Sequence, residues 1–150
     1  MLNYTKIIDT CMTKEDMGAM IISYGGDWDI VNVKKGKRFI IIKISNGTVS
    51  YNLVNLHAPA VYDHLRGQFF DEIMENLILD RDKTIVLGDF NVVLDSIDRI
   101  GSGRAESGAK ELSRVVEALD IKDAFRVLHP NALEFTFKMI VRGEMKVRLG

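Results

Sequence analysis

One cysteine, two prolines and a single tryptophan stand among 150 residues. A lone thiol cannot form an intrachain disulfide, which excludes a stapled secreted scaffold, and a thiolate metal cluster would need partners that Cys11 does not have. Cys11 reads as a free thiol near a loose terminus. No apolar run approaches the ~20 residues of a membrane helix. The opening Met-Leu-Asn-Tyr-Thr-Lys-Ile-Ile-Asp has no apolar signal core behind a basic head. These absences predict a soluble, intracellular chain, nuclear or cytoplasmic, with no membrane partner. An excess of one charge is missing too, because 20 basic and 21 acidic residues leave a net charge of −1. The broadly basic surface of many nucleic-acid binders is therefore absent, but a few well-placed Lys and Arg suffice to hold a phosphate backbone locally.

What is present is a core. Hydrophobic residues make up 47% of the chain, enough for one domain and too short for two ordinary ones. Residues 1–16 are mixed and polar and predict a weakly ordered lead-in, with the domain proper over 17–150. Met17 to Ser23 reads as a short buried strand stopped by Gly25-Gly26, and Asp29 to Val33 as another. The run Lys34-Lys35-Gly36-Lys37 that follows reads as a solvated hairpin turn. Arg38 to Ser45 carries consecutive isoleucines at 40, 41 and 42, the pattern of a strand buried on both faces. Asn46-Gly47 is a strong hairpin signal, leading into Thr48 to His57. Alternation there puts Tyr51, Leu53, Asn55 and His57 on one face and Asn52, Val54 and Leu56 on the other; Ala58-Pro59 ends the strand.

Asp63 to Leu79 reads as a helix with Leu65, Phe69, Ile73 and Leu77 inward and Phe70 and Met74 widening the stripe. Thr84 to Leu87 reads as a second fully buried strand. A helix between two such strands is a crossover, so the strands are expected to run parallel. Val92 to Gly108 reads as a glycine-rich loop, Ala109 to Leu119 as a helix burying Leu112, Val115, Val116 and Leu119, and Ile121 to Leu128 as a short helical turn before His129-Pro130. Glu134 to Val141 and Glu144 to Leu149 read as two strands around Arg142-Gly143.

The sharpest chemical feature is a strand running straight into Gly88-Asp89-Phe90-Asn91. An extended backbone would turn Asp89 and Asn91 to the same side, at the carboxyl end of a strand where ligands of such sheets bind. Phosphate-ester hydrolysis needs an acceptor to orient water and a donor to hold a phosphate oxygen, which Asp89 and the Asn91 amide provide. The plainer alternative is that Asp89 caps a turn through the local backbone. Other motifs fail. An EF-hand loop begun at Asp89 meets Leu94 where glycine belongs and Ile100 where glutamate belongs, and Gly103 to Lys110 lacks the ending of a phosphate-binding loop. His64 and His129 read as surface histidines, and Trp28 as a packed or partly exposed aromatic.

Gly88-Asp89-Phe90-Asn91 followed by Leu94-Asp95 and Ile97-Asp98-Arg99 resembles the signature of the endonucleases of LINE-type (non-LTR) retrotransposons, within the endonuclease/exonuclease/phosphatase superfamily. Gly18 to Ser23, Arg38 to Ile41, Leu53 to Pro59 and Glu134 to Phe137 stand in that family's order, so the resemblance runs over roughly 17–150. It implies an α/β fold, a partial four-layer α/β/β/α sandwich of two packed β-sheets with outer helices. It implies Mg²⁺-dependent phosphodiester cleavage, with Mn²⁺ as a substitute, on DNA, within a parent polyprotein that carries a reverse transcriptase. Carried across, Asp89 matches the aspartate that orients or deprotonates the attacking water and belongs with the metal, Asn91 the asparagine on the phosphate, and Thr136 a threonine lining the site.

The departures are specific. His57 stands where the family has a tyrosine; an imidazole still donates to a phosphate oxygen, with different reach. The family's metal-binding glutamate motif, expected upstream of the first buried strand, is not found, and Glu15 stands too close to that strand. The Ser-Asp-His motif would fall beyond Gly150, and Arg148-Leu149-Gly150 has glycine at the place of the supporting aspartate. The expectation is a domain incomplete at both ends and an impaired nuclease. Two alternatives are a non-catalytic remnant of the fold and a phosphatase acting on phosphoinositides or other small phosphate esters; Asp98-Arg99 favours the retrotransposon branch.

Overall fold

A computed structural model describes residues 4–10, 18–24, 26–60, 63–77, 83–100, 108–141 and 144–148. In chain order the elements are β1 (Tyr4–Asp9), β2 (Met20–Tyr24), β3 (Asp29–Lys35), β4 (Phe39–Ser45), β5 (Ser50–His57), α1 (Asp63–Leu77), β6 (Lys83–Asp89), a 3₁₀ turn (Ser96–Asp98), β7 (Arg99–Ile100), α2 (Ala109–Ala118), α3 (Ala124–Leu128), β8 (Phe137–Val141) and β9 (Glu144–Arg148). Cys11, Glu15, Met17, Gly25, Leu79, Gly101, Gly103, Arg142-Gly143 and Leu149-Gly150 lie outside the described residues. The chain forms two compact units, each built from two segments. The first takes Met1–Ala58 and Leu79–Asp89, the second Pro59–Ile78 and Phe90–Gly150.

In the first unit, β3-β4-β5-β6 form one sheet, antiparallel through β5 and parallel between β5 and β6. The β4–β5 turn closes as its sequence dictates: the Asn46 side chain accepts from the Thr48 and Val49 amides, each at 3.0 Å. Phe39 through Ile42 are all buried, so β4 is closed on both faces. Along β5, Asn52, Val54 and Leu56 are buried while Tyr51, Leu53, Asn55 and His57 are half-buried, the alternation read from the sequence.

β1 and β2 make a second, two-stranded sheet. Its Ile8 and Ala19 pack with Ile40 and Ile42 of β4, and Ile21, Ile30, Val33, Ile44 and Leu53 border that cluster. Two polar side chains fasten the end of the pair. The Lys35 ammonium donates to the Asp9 carbonyl at 2.8 Å and the Asn55 amide to the Met20 carbonyl at 2.7 Å, and Asp9 and Met20 are register partners. The weakly ordered lead-in expected over 1–16 is thus corrected over Tyr4–Asp9. Six residues show too few alternations for a period to be legible, and the strand is held by contacts distant in sequence.

A second correction concerns β6. It was expected to be fully buried, but it closes one end of its sheet, and Ile85 and Leu87 are each 48% exposed. An apolar run specifies a strand but not its place in the sheet. At its end, Gly88 has φ +129°, and a Cβ there would lie 1.9 Å from the Leu56 carbonyl oxygen. Only glycine permits that approach between the two strands.

In the second unit, the buried face of α1 is Arg66, Phe69, Phe70, Ile73 and Leu77. Leu65, expected inward, is 41% exposed. The face rotates toward Arg66 because its guanidinium donates to the carbonyls of Pro59 and Ala60, at 3.0 and 3.2 Å; a charge so bonded can be buried. α2 buries Leu112 and Val115 as expected, with Val116 and Leu119 only half-buried. β7, β9 and β8 form an antiparallel sheet in that order. The stretch read as a loop over Val92 to Gly108 therefore contains a 3₁₀ turn and a strand, and the strand expected from Glu134 begins only at Phe137.

Gly88→Ala is expected to destabilise the protein by about 2–4 kcal/mol, combining left-handed backbone strain with a clash that the Leu56 carbonyl cannot relieve. Gly26→Ala is the control, since a Cβ there meets nothing within 4 Å. Urea midpoints for the two variants check this; equal midpoints would show that β5 and β6 can separate at this point.

Candidate active site

Parallel strands bring their carboxyl ends to one rim, and open α/β sheets bind ligands outside those ends. β5 and β6 are such a pair, and their last register partners are His57 and Asp89. The ladder runs through Asn55 with Leu87 and Leu56 with Gly88 to this last pair, which the register sets beside each other at the strand ends. His57 is half-buried and Asp89 exposed.

The rim is pinned by backbone hydrogen bonds on both sides of this pair. The His57 amide donates to the Arg38 carbonyl at 2.9 Å, and the Ala58 amide to the Asp89 carbonyl at 2.8 Å. Ala58 is completely buried, and Pro59 then turns the chain away. A hydrogen-bond donor and a carboxylate are thereby held side by side at a strand end.

Asn91 does not continue that geometry. The strand stops at Asp89, and Asn91 takes a left-handed φ of +51°, a conformation asparagine tolerates better than most side chains. The extended backbone that would align Asp89 with Asn91 is therefore absent. Asn91 is buried and belongs to the second unit. Thr136 belongs to that unit as well, exposed and in a bend just before β8 rather than inside a strand.

The carboxylates downstream of Asn91 have structural work. Asp95 caps the 3₁₀ turn, accepting from the Ile97 amide at 3.2 Å. Asp98 is only 3% exposed. One of its oxygens accepts from Arg126 Nε at 2.6 Å and also from Arg126 Nη2. Arg126 Nη1 donates to the carbonyls of His129 and Ala132, at 3.2 and 2.9 Å, and its guanidinium lies 5.2 Å from the centre of the Phe125 ring. Asp98 thus ties the post-strand segment to α3. Arg126 carried no motif; its only signal was a cation in a short helix beside several carbonyls, which sequence spacing does not reveal.

This bears on the expected divalent ion. Mg²⁺ takes oxygen ligands in near-octahedral geometry. Among the described residues, no three of His, Cys, Asp and Glu stand close enough to share an ion. Asp98 is committed to Arg126 and Asp95 to its cap. The described residues do not fit a ready-made magnesium site.

No family model matches the sequence. Over 110 residues the chain is 26% identical to the Transposon TX1 uncharacterized 149 kDa protein of Xenopus laevis, an alignment spanning 72% of this chain and 8% of that protein. Among solved structures, the chain superposes on the endonuclease domain of TRAS1, a telomere-specific non-LTR retrotransposon, with a TM-score of 0.64 and 12% identity, over 95% of this chain and 63% of that domain. The chain has the fold of a retrotransposon endonuclease. The α/β endonuclease/exonuclease/phosphatase architecture implied by the Gly-Asp-Phe-Asn resemblance is thus present; the chain is similar in sequence to a transposon protein and in structure to the endonuclease domain of a non-LTR retrotransposon. In this fold the His57–Asp89 rim is the candidate site. Among the described residues, no helix is long and apolar enough to cross a membrane.

Asp98→Ala is expected to cost roughly 1–3 kcal/mol, because it leaves the half-buried Arg126 guanidinium without its counter-charge. Replacing both partners, as Asp98→Ala with Arg126→Met, is expected to recover part of that loss. Urea denaturation of the single and double variants measures the coupling; additive losses would show that the pair contributes nothing jointly.

Proposed function

We propose that this chain is a phosphodiesterase domain of the DNA-endonuclease type, with the substrate phosphate seated at the rim shared by His57 and Asp89. The observation that carries the reading is the register pairing of those two residues at the carboxyl ends of parallel strands, in a chain with the fold of a retrotransposon endonuclease. Asp89 would orient the attacking water and accept its proton, and the His57 imidazole would donate to a non-bridging phosphate oxygen. The proposed seating uses neither Asn91, which is buried, nor Thr136; both belong to the second unit. The parent protein would be a retrotransposon polyprotein, as the transposon relative suggests.

The fold family's activity implies Mg²⁺ or Mn²⁺, which would neutralise charge building on the transferring phosphate. Asp89 offers it one carboxylate, and among the described residues no group of three such ligands stands together. The proposed chemistry of this chain's own residues is therefore substrate placement and water orientation, and hydrolysis by residues 1–150 alone is expected to be slow. Losing a single preorganised electrostatic contact commonly costs on the order of 10²–10³ in rate.

Two measurements test this. In DNA binding followed by fluorescence anisotropy, Asp89→Asn is expected to tighten binding about fivefold, because it removes a negative charge beside a phosphate, worth about 1 kcal/mol at ~4 Å in water. His57→Ala is expected to weaken binding. If both variants bind as the native chain does, the phosphate does not sit at this rim. On supercoiled plasmid with Mg²⁺ or Mn²⁺, native chain and Asp89→Ala are both expected to nick at background level. Robust nicking that Asp89→Ala abolishes would show that the chain assembles a cation site without added ligands.

A further inference from the structure

The run Lys34-Lys35-Gly36-Lys37, which reads from sequence as a solvated turn, folds back with the following Arg38 to the candidate site. It forms the tight β3–β4 turn, in which the Gly36 amide donates to the Phe39 carbonyl at 3.0 Å. The next backbone link is from the His57 amide to the Arg38 carbonyl. Asp89, His57 and Arg38 therefore occupy successive strands at one rim of one sheet, within one unit.

We infer that this turn is a contact for the DNA phosphate backbone, and that a bound strand crosses the rim in the order Asp89, His57, Arg38, Lys37. The inference rests on the proposed seating of a phosphate between His57 and Asp89. Dimensions fit it. Neighbouring strands lie about 4.8 Å apart, so Arg38 is about 10 Å from Asp89. Each strand of DNA carries one phosphate per ~3.4 Å of axis and winds around it, so successive phosphates are about 7 Å apart and that distance suits two neighbouring ones.

Charge and rigidity point the same way. There is no acidic residue between Asp29 and Asp63, whereas Lys34, Lys35, Lys37, Arg38 and Lys43 all fall there, in a chain whose net charge is −1. Lys34, Lys35 and Lys37 are exposed and Arg38 is half-buried. Lys35 is fastened to the Asp9 carbonyl. The turn is also seated on the core, since a Cβ on Gly36 would lie 2.1 Å from the ring of Phe39, itself only 2% exposed. A positively charged turn held this firmly loses little entropy when it meets a phosphate.

The test is the salt dependence of binding to a short fluorescein-labelled duplex, read for the native chain and four variants. Lys37→Ala with Arg38→Ala is expected to lower the slope of log Kd against log salt by about 1–2, roughly one for each phosphate contact removed. Lys37→Glu alone, at an exposed position, is expected to lower it by at least one, and thermal melting of both checks that they fold. Lys110→Ala with Lys122→Ala, exposed cations of the second unit, is expected to leave the slope unchanged. His57→Ala reports on the seating at the rim. Turn variants with the native slope, beside a His57→Ala that still weakens binding, would overturn the turn contact and leave the rim reading standing. A slope loss in the turn variants with no effect of His57→Ala would overturn the path through His57 and keep the turn as a phosphate contact. Equal slope loss in the Lys110/Lys122 variant, or a native chain that binds no duplex at low salt, would overturn the inference.

Discussion

The parallel register between β5 and β6 is the constraint on which the functional reading depends. It is set by backbone, not by side-chain chemistry. Gly88 brings its Cα against the Leu56 carbonyl at a spacing no larger residue allows, and the Ala58 amide then closes on the Asp89 carbonyl. A slip of one residue would take Asp89 out of register with His57. The glycine of Gly-Asp-Phe-Asn is therefore as much a part of the site as the aspartate. It makes the strand end where it does, beside its neighbour and with its carboxylate exposed.

The parts of the fold that were legible in the sequence share a property: their signal is local. Asn46-Gly47 specifies a turn by its own conformational preferences, Phe39 to Ile42 show burial on both faces, and β5 alternates in one unbroken stretch. What could not be read depends on partners far away in sequence. β1 is held by Ile8 against Ile40 and Ile42. β6 looks like a buried strand because Ile85-Val86-Leu87 is apolar, but its burial is decided by its place at the end of a sheet. α1 shows the same limit in reverse. Leu65 fits the apolar stripe by spacing, yet Arg66 takes the inner position because two backbone carbonyls wait there for its guanidinium.

The candidate site divides along the same line. His57 and Asp89 were both identifiable, and the strand pairing brings them together. The parity argument for Asn91 failed because it assumed an extended backbone through a residue that turns left-handed. Thr136 was placed on a strand that begins one residue later. Asp98, prominent as part of a motif, is bound to Arg126 and serves to fasten one segment to another. A motif residue can mark ancestry through a structural role, and its burial and partners separate that role from chemistry.

Net charge was the least informative number in the sequence. Binding to a polyanion responds to the local field over a Debye length of about 8–10 Å, not to the sum over a chain. In the first unit this rim carries Lys34, Lys35, Lys37 and Arg38 in or beside the β3–β4 turn, with His57 and Asp89 on the neighbouring strands. Folding concentrates the cations at one end because a hairpin turn between β3 and β4 must lie beside the end of β5, and β5 ends where its parallel partner β6 ends. The antiparallel hairpin and the parallel crossover thus bring unlike groups to one edge: a basic turn from the first, a glycine-positioned aspartate from the second. That juxtaposition follows from the topology together with the close approach that Gly88 allows between β5 and β6.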